Sequence, residues 1–117
     1  MINDQTLLKN NRLLKPSEFQ NIYKSGQWVA NRELVVNFKP KNTLLPKLGI
    51  TVSKKVSKRA VDRNRIKRQI REWFRKNKST YATFDLIITA KPVANSKTNQ
   101  EIQYSLEDIW RKVQKKY

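Results

Sequence analysis

The sequence predicts an α+β domain in which helices are layered on a small sheet. Three observations carry that reading. Segments with helical spacing of apolar residues alternate with short runs rich in β-branched and aromatic residues. Residues 85–90 are strongly apolar, as a central strand would be. The last segment carries Ile102, Leu106, Ile109 and Val113 at i, i+4, i+7 and i+11, the stripe of a helix with one buried side. The predicted order is α-β-β-β-α-β-α. Neither an internal repeat nor a boundary interrupts it, so residues 1–117 read as one domain. A hydrophobic fraction of 38% suffices for one modest core.

Residues 1–15 read as an irregular, partly ordered arm whose Leu7, Leu8, Leu13 and Leu14 can pack back on the domain. Pro16-Ser17-Glu18 opens a short helix, and Ser17 with Gln20 has the form of a capping box. Phe19, Ile22 and Tyr23 share one face, and Gly26 is a natural stop. Residues 27–39 favour strand through Trp28, Val29, Leu34, Val35, Val36 and Phe38. Ala30-Asn31-Arg32-Glu33 breaks that pattern and predicts a bend, giving two short strands or one bulged strand. Residues 40–46 form a loop and 48–53 another strand. A long helix is expected from near Lys58 to near Asn77, capped by Ser57. Residues 78–83 connect it to the central strand, and 92–97 form a further loop. Thr98 with Glu101 repeats the capping-box signal ahead of the last helix. Lys112, Lys115 and Lys116 near the end of that helix suit its dipole.

Charge sets the function class. Lys and Arg total 26 against 9 Asp and Glu, a formal net charge of +17. A fold this cationic repels itself, and a polyanion partner relieves the repulsion. Nucleic acid is the first candidate and an anionic membrane surface the second. The longest apolar runs, such as Leu86-Ile87-Ile88, fall far short of the roughly 20 residues of a membrane-spanning helix. The polar stretch 1–15 lacks the apolar core of a signal peptide. Cysteine is absent, which excludes disulfides and thiolate metal sites. The expectation is a cytoplasmic protein with no membrane contact.

The informative segment is residues 53–76. Wound at about 3.6 residues per turn, it places Ile66, Ile70, Trp73 and Phe74 in one arc. Asn64, Lys67, Arg68, Arg71 and Arg75 fall opposite, with Asp62 and Glu72 the acids that offset them. An ordinary solvated face mixes Glu with Lys at i, i+4. This one is a row of cations, and Arg makes forked contacts with phosphate that Lys cannot. Zinc-finger, zipper and helix-turn-helix contexts are missing, so duplex DNA is not the expected partner. A mixed α+β fold with a sheet suits recognition of RNA shape and stacking of unpaired bases on aromatic rings.

Arg63-Asn64-Arg65-Ile66-Lys67-Arg68, followed by Ile70-Arg71-Glu72 and an aromatic pair, resembles the signature helix of the ribonuclease P protein family. Gly49-Ile50-Thr51-Val52-Ser53-Lys54-Lys55 is similar to the strand and turn that lead into it. Asn11-Arg12-Leu13, Phe19 with Tyr23, Val29-Ala30-Asn31-Arg32 and Asp85-Leu86-Ile87-Ile88 extend the resemblance over nearly the whole chain. The resemblance implies a small mixed sheet shared with a ribosomal-protein domain. It also implies a left-handed crossover of two parallel strands through the basic helix, where general rules favour a right-handed one. In such a protein the RNA subunit is the catalyst and holds the magnesium ions; the protein binds that RNA and the single-stranded 5′ leader of precursor tRNA. Carried over, Ser53, Lys54, Lys55, Arg63, Asn64, Arg65, Lys67, Arg68 and Arg71 would meet the RNA subunit. Phe19, Tyr23, Val35, Asn37 and Lys91 would line the leader cleft. Asn37 departs from the pattern, since relatives often carry an aromatic there, and an amide offers no stacking ring.

A protein nuclease needs a general base, a nucleophile or clustered metal ligands. Histidine is absent, and of the nine carboxylates only Glu107 and Asp108 adjoin, on neighbouring helical positions that do not face each other. No catalytic residue and no metal site is therefore assigned to the protein. Rival readings are a ribosomal or other structured-RNA-binding protein without a role in catalysis, a stand-alone metal-dependent nuclease, and a DNA-compacting protein.

Overall fold

The computed structural model describes residues 15–40, 47–77 and 84–116. The arm leucines, Asn11-Arg12-Leu13 and the connections 41–46 and 78–83 lie outside the described residues. The elements are α1 (Pro16–Ser25), β1 (Gln27–Ala30), β2 (Leu34–Pro40), β3 (Lys47–Thr51), α2 (Ala60–Asn77), β4 (Phe84–Ala90) and α3 (Asn99–Lys116). A 3-10 helix, Pro92–Ser96, precedes α3 where a plain loop was expected. The strands form one mixed sheet in the order β1-β2-β4-β3. β1 with β2 and β2 with β4 are antiparallel, whereas β3 and β4 are parallel and joined through α2.

The sequence of β4 explains its central place. Leu86 and Ile88 point to one face and Ile87 to the other, and all three are buried. The Leu86/Ile88 face meets the main core, to which β2 adds Leu34, Val36 and Phe38. α2 contributes Ile66, Ile70, Trp73 and Phe74, and α3 contributes Ile102, Leu106, Ile109, Trp110 and Val113. A chain of edge-on rings fastens these elements: Trp73 to Trp110 at 6.1 Å, Trp110 to Phe84 at 5.8 Å, and Phe84 to Phe38 at 5.9 Å. Such pairs contribute about 0.5–1.5 kcal/mol each beyond their buried area. Trp73 Nε1 also donates to Glu107 Oε1 at 3.0 Å, tying α2 to α3.

Among the described residues, the opposite face carries only α1. Ile22 packs on Ile87, with Phe19 against the pair. Glu18 secures the helix at both scales: its carboxylate accepts the Lys15 backbone N–H at 2.8 Å and the Lys47 ammonium at 2.9 Å. These bonds, the Lys15 N–H foremost, hold the Glu18 carboxyl below its ordinary pKa against a smaller opposing effect of burial.

Several local expectations are corrected. Pro16 is already the first helical residue and Lys15 the N-cap, so Ser17 lies inside the first turn and the Ser17/Gln20 capping box does not form. Glu18, not Gln20, reaches back to the cap. Gly26 ends α1 in extended backbone; a Cβ there would meet Ile22 O and Phe38 O at 2.6 Å, so close approach to β2 is what requires glycine. α2 begins at Ala60, later than expected, because Val56 is buried and pulls the preceding turn into the core. Ser57 orders that turn instead of capping the helix: its hydroxyl accepts the Arg59 N–H and donates to Asp62 Oδ2. The bend at 30–33 yields two strands, and β2 runs through Pro40. The Thr98/Glu101 capping box forms in both directions, at 3.1 and 2.9 Å.

Gly26→Ala should destabilise the fold by about 1–3 kcal/mol through overpacking, read as a lower urea midpoint. Glu18→Gln should lower stability at neutral pH. Because the folded-state pKa of Glu18 is depressed, its contribution is complete above about 4.5 and is lost as pH falls through the lower folded value. The gap between the two proteins in thermal melts should therefore close on acidification.

Candidate nucleic-acid interface

The core requirement fixes which side of α2 faces outward. With Ile66, Ile70, Trp73 and Phe74 buried, the other side presents exposed Asn64, Arg68 and Arg71, with Lys67 and Arg75 half-buried. Lys54 and Lys55 sit exposed at the tip of the turn between β3 and α2. Ser53 builds that turn: its carbonyl accepts the Val56 N–H at 3.0 Å and its hydroxyl the Lys55 N–H at 3.2 Å. Within the described residues no carboxylate pairs with Lys54, Lys55, Lys67, Arg68 or Arg71.

The structure divides the predicted set. Arg63 Nη1 donates to the Ser57 carbonyl at 2.9 Å and braces the turn. Arg65 donates to Asn99 Oδ1 at 2.8 Å and to the Asn95 carbonyl at 3.2 Å, clamping α2 to the start of α3. Both are half-buried and already at work inside the fold. Helical spacing shows which arc a residue occupies but not these tertiary acceptors. Between the two helices lies a groove of about 430 Å³ lined by Val61, Asn64, Arg65, Arg68, Gln69 and Asn99.

A second surface lies across the sheet. Alternation along β2 sends Leu34, Val36 and Phe38 into the core and Val35, Asn37 and Lys39 toward the α1 side. Register aligns Asn37 with Ile87, and Val35 with Thr89, which in turn faces Thr51. α1 covers the Lys39–Asp85–Lys47 end of this face, held there by the Glu18–Lys47 and Lys39–Asn21 contacts. Val35 and Thr89 lie beyond the described α1 contacts, and this strip beside Phe19 and Tyr23 is the candidate groove. Phe19 is half-buried on Ile22 and Ile87, and Tyr23 is 47% exposed, with ring centroids 6.3 Å apart. Lys91 stands at the far end, its ammonium 2.6 Å from the Asn31 carbonyl. Asn31 is a hub that the sequence reading did not mark as such. Its amide donates to Ser105 and Asp108 on α3 and accepts from the Glu33 and Leu34 N–H groups. Trp28, 60% exposed on β1, is a further residue passed over as ordinary strand.

Among the described residues no three acidic side chains stand together as a metal site requires. Glu33, Glu101 and Asp108 rim one hollow, but each is spent on a fixing bond, to Ser105, Thr98 and Asn31 respectively.

A mixed sheet with an arginine-rich crossover helix on one side and an aromatic-bearing helix on the other has the make-up of an RNA-binding subunit. A family model described as Ribonuclease P matches residues 7–114. The ribonuclease P protein component of Idiomarina loihiensis is 43% identical, the alignment covering 90% of this chain and 85% of that one. The corresponding protein of Staphylococcus haemolyticus is 47% identical over 84% and 85%. The solved Staphylococcus aureus RNase P protein superposes with a TM-score of 0.78 at 41% identity, covering 90% and 96%. That of Thermotoga maritima gives 0.75 at 28%, covering 85% and 94%. The chain belongs to the ribonuclease P protein family, the protein subunits of a ribonucleoprotein endoribonuclease that processes tRNA.

Proposed function

We propose that residues 1–117 act as one RNA-binding domain that binds the catalytic RNA of ribonuclease P and the single-stranded 5′ leader of precursor tRNA, and so aids removal of that leader in the cytoplasm. The observation that carries the reading is the row of cations on α2, of which Lys67, Arg68 and Arg71 pair with no carboxylate among the described residues, opposite a side locked into the core. Lys54, Lys55, Lys67, Arg68 and Arg71 neutralise phosphates of the RNA subunit, and Asn64 and Ser53 add hydrogen bonds. Arg63 and Arg65 shape this surface from within, keeping spare guanidinium donors for the same RNA. The leader follows the groove past Tyr23, Phe19, Val35 and Asn37 toward Lys91.

Phosphodiester hydrolysis belongs to the RNA subunit and its magnesium ions. The chain has no histidine, and among the described residues no group of three or more carboxylates is gathered to hold an ion. Its contribution is to position substrate and to screen phosphate repulsion.

In a reconstitution with precursor tRNA at low magnesium, correct 5′ cleavage should require both protein and RNA subunit. Robust cleavage by the protein alone would overturn the assignment of chemistry to RNA. Arg68→Ala or Arg71→Ala should each lower the salt slope of RNA-subunit binding by about one unit. An unchanged slope would displace the interface from α2.

A further inference from the structure

We propose that Trp28 and Asn37 together form a single-nucleotide subsite: an unpaired base of the leader stacks on the Trp28 indole and its edge bonds the Asn37 amide. The inference rests on the leader-groove reading above and adds to it a residue on a strand outside the α1 wall.

Trp28 lies next to Val29, which is buried in the main core, so the pleat sends the indole to the opposite face. That is the face of Asn37, its register partner across the β1–β2 pair. Asn37 aligns in turn with Ile87, on which Ile22 and Phe19 pack. Trp28, Asn37, Ile87 and Phe19 thus make one row from the free edge of the sheet to the helical wall. Directly opposed cross-strand side chains have Cβ atoms about 4.5–5.5 Å apart. A base lying on the indole therefore brings its edge over the amide.

Both groups are uncommitted. The indole makes no ring contact among the described residues, and the Asn37 side chain has no hydrogen-bond partner there. The other two tryptophans, Trp73 and Trp110, are buried in the core. A lone indole at 60% exposure, beside an amide, is too small an apolar patch for a protein partner. It has the size and chemistry of a platform for one base. The charges agree: Lys39 shares the face two residues along β2, and Lys116 and Lys112 reach the Trp28 and Ala30 carbonyls at 3.3 and 3.1 Å along the same edge. Lys39 thus adds positive charge on the indole's own face, and the two α3 lysines add it along the sheet edge from the core-side layer.

The test uses full-length protein assembled with the RNA subunit and compares affinity for precursor tRNA with and without its leader. Trp28→Ala should weaken binding of the leader-bearing substrate roughly 5- to 100-fold. Trp28→Phe should retain most of that affinity, and leaderless tRNA should not distinguish the variants. An abasic nucleotide at one leader position should erase the Trp28→Ala effect. If Tyr23→Ala is leader-selective but Trp28→Ala is not, the subsite is wrong and the groove stands. If neither is leader-selective, the groove reading fails and takes the subsite with it. Equal losses with leaderless tRNA would reduce Trp28 to a structural role. A second measurement needs no substitution: acrylamide quenching, dominated by exposed Trp28, should fall on adding leader-bearing but not leaderless substrate. Unchanged quenching would overturn the proposal.

Discussion

The burial of β4 on both faces is the constraint from which the architecture follows. A strand whose Leu86 and Ile88 need one apolar layer and whose Ile87 needs another must lie inside the sheet. It therefore pairs with β2 on one side and β3 on the other, and α2 becomes the crossover between parallel neighbours. The two layers differ in extent. α2 and α3 bury the Leu86/Ile88 face across its width, whereas the ten-residue α1 covers the Ile87 face only in part. Among the described residues, the strip of that second face beyond α1 is the candidate groove.

The same packing solves an electrostatic problem. A helix as cationic as α2 gains little from its own solvated side and is held by the other one. Trp73 is anchored twice: it meets the Trp110 ring edge-on and donates to Glu107 at 3.0 Å, so apolar and polar contacts fix one side chain. Arg65 closes the opposite end of the α2–α3 contact through Asn95 and Asn99. Gln69 and Gln103 fill the middle, the Gln103 amide donating to both the backbone and side-chain oxygens of Gln69. With both ends and the centre pinned, Arg68 and Arg71 project from a rigid rod. Their mutual repulsion is then a fixed cost that a polyanion can offset, and little further ordering is needed when it arrives.

Much of this was legible in the sequence because it depends on periodicity. The stripe Ile102, Leu106, Ile109 and Val113 is buried throughout, and the expected arc of α2 faces inward. The Thr98/Glu101 box reads correctly because all its partners lie within one turn. Ser17 fails as a cap for a local reason, Glu18 Oε1 accepting the Lys15 N–H at the start of α1, and Lys47, 29 residues away, reinforces that placement through Oε2. Elsewhere the reading fails where the deciding partner is remote in sequence. Gly26 owes its identity to the Phe38 carbonyl rather than to a left-handed cap. Arg65 looked like any other cation of its motif until the 3-10 helix supplied an acceptor. Trp28 shows a different limit: the alternation assigns its face, but exposure depends on α1 stopping short of it.

One short turn joins the two surfaces, and its construction couples them. Ser53, Lys54 and Lys55 follow directly from β3, whose Thr51 lies in the row of Val35 and Thr89 on the groove side of the sheet. Within a few residues the chain passes from that face to the outer side of α2. Val56 is the pivot. Its burial forces the turn that Ser53 and Ser57 stabilise, and Arg63 reaches back to the Ser57 carbonyl to brace it. The position of Lys54 and Lys55 is therefore set from both sides, by the sheet register before them and by the helix after them. A ligand bound on the α2 face and a strand lying in the groove would both meet this turn, and neither could shift it without disturbing the core contact of Val56. On the proposed function, rigidity here would fix the relative positions of two bound polyanions that would otherwise repel each other.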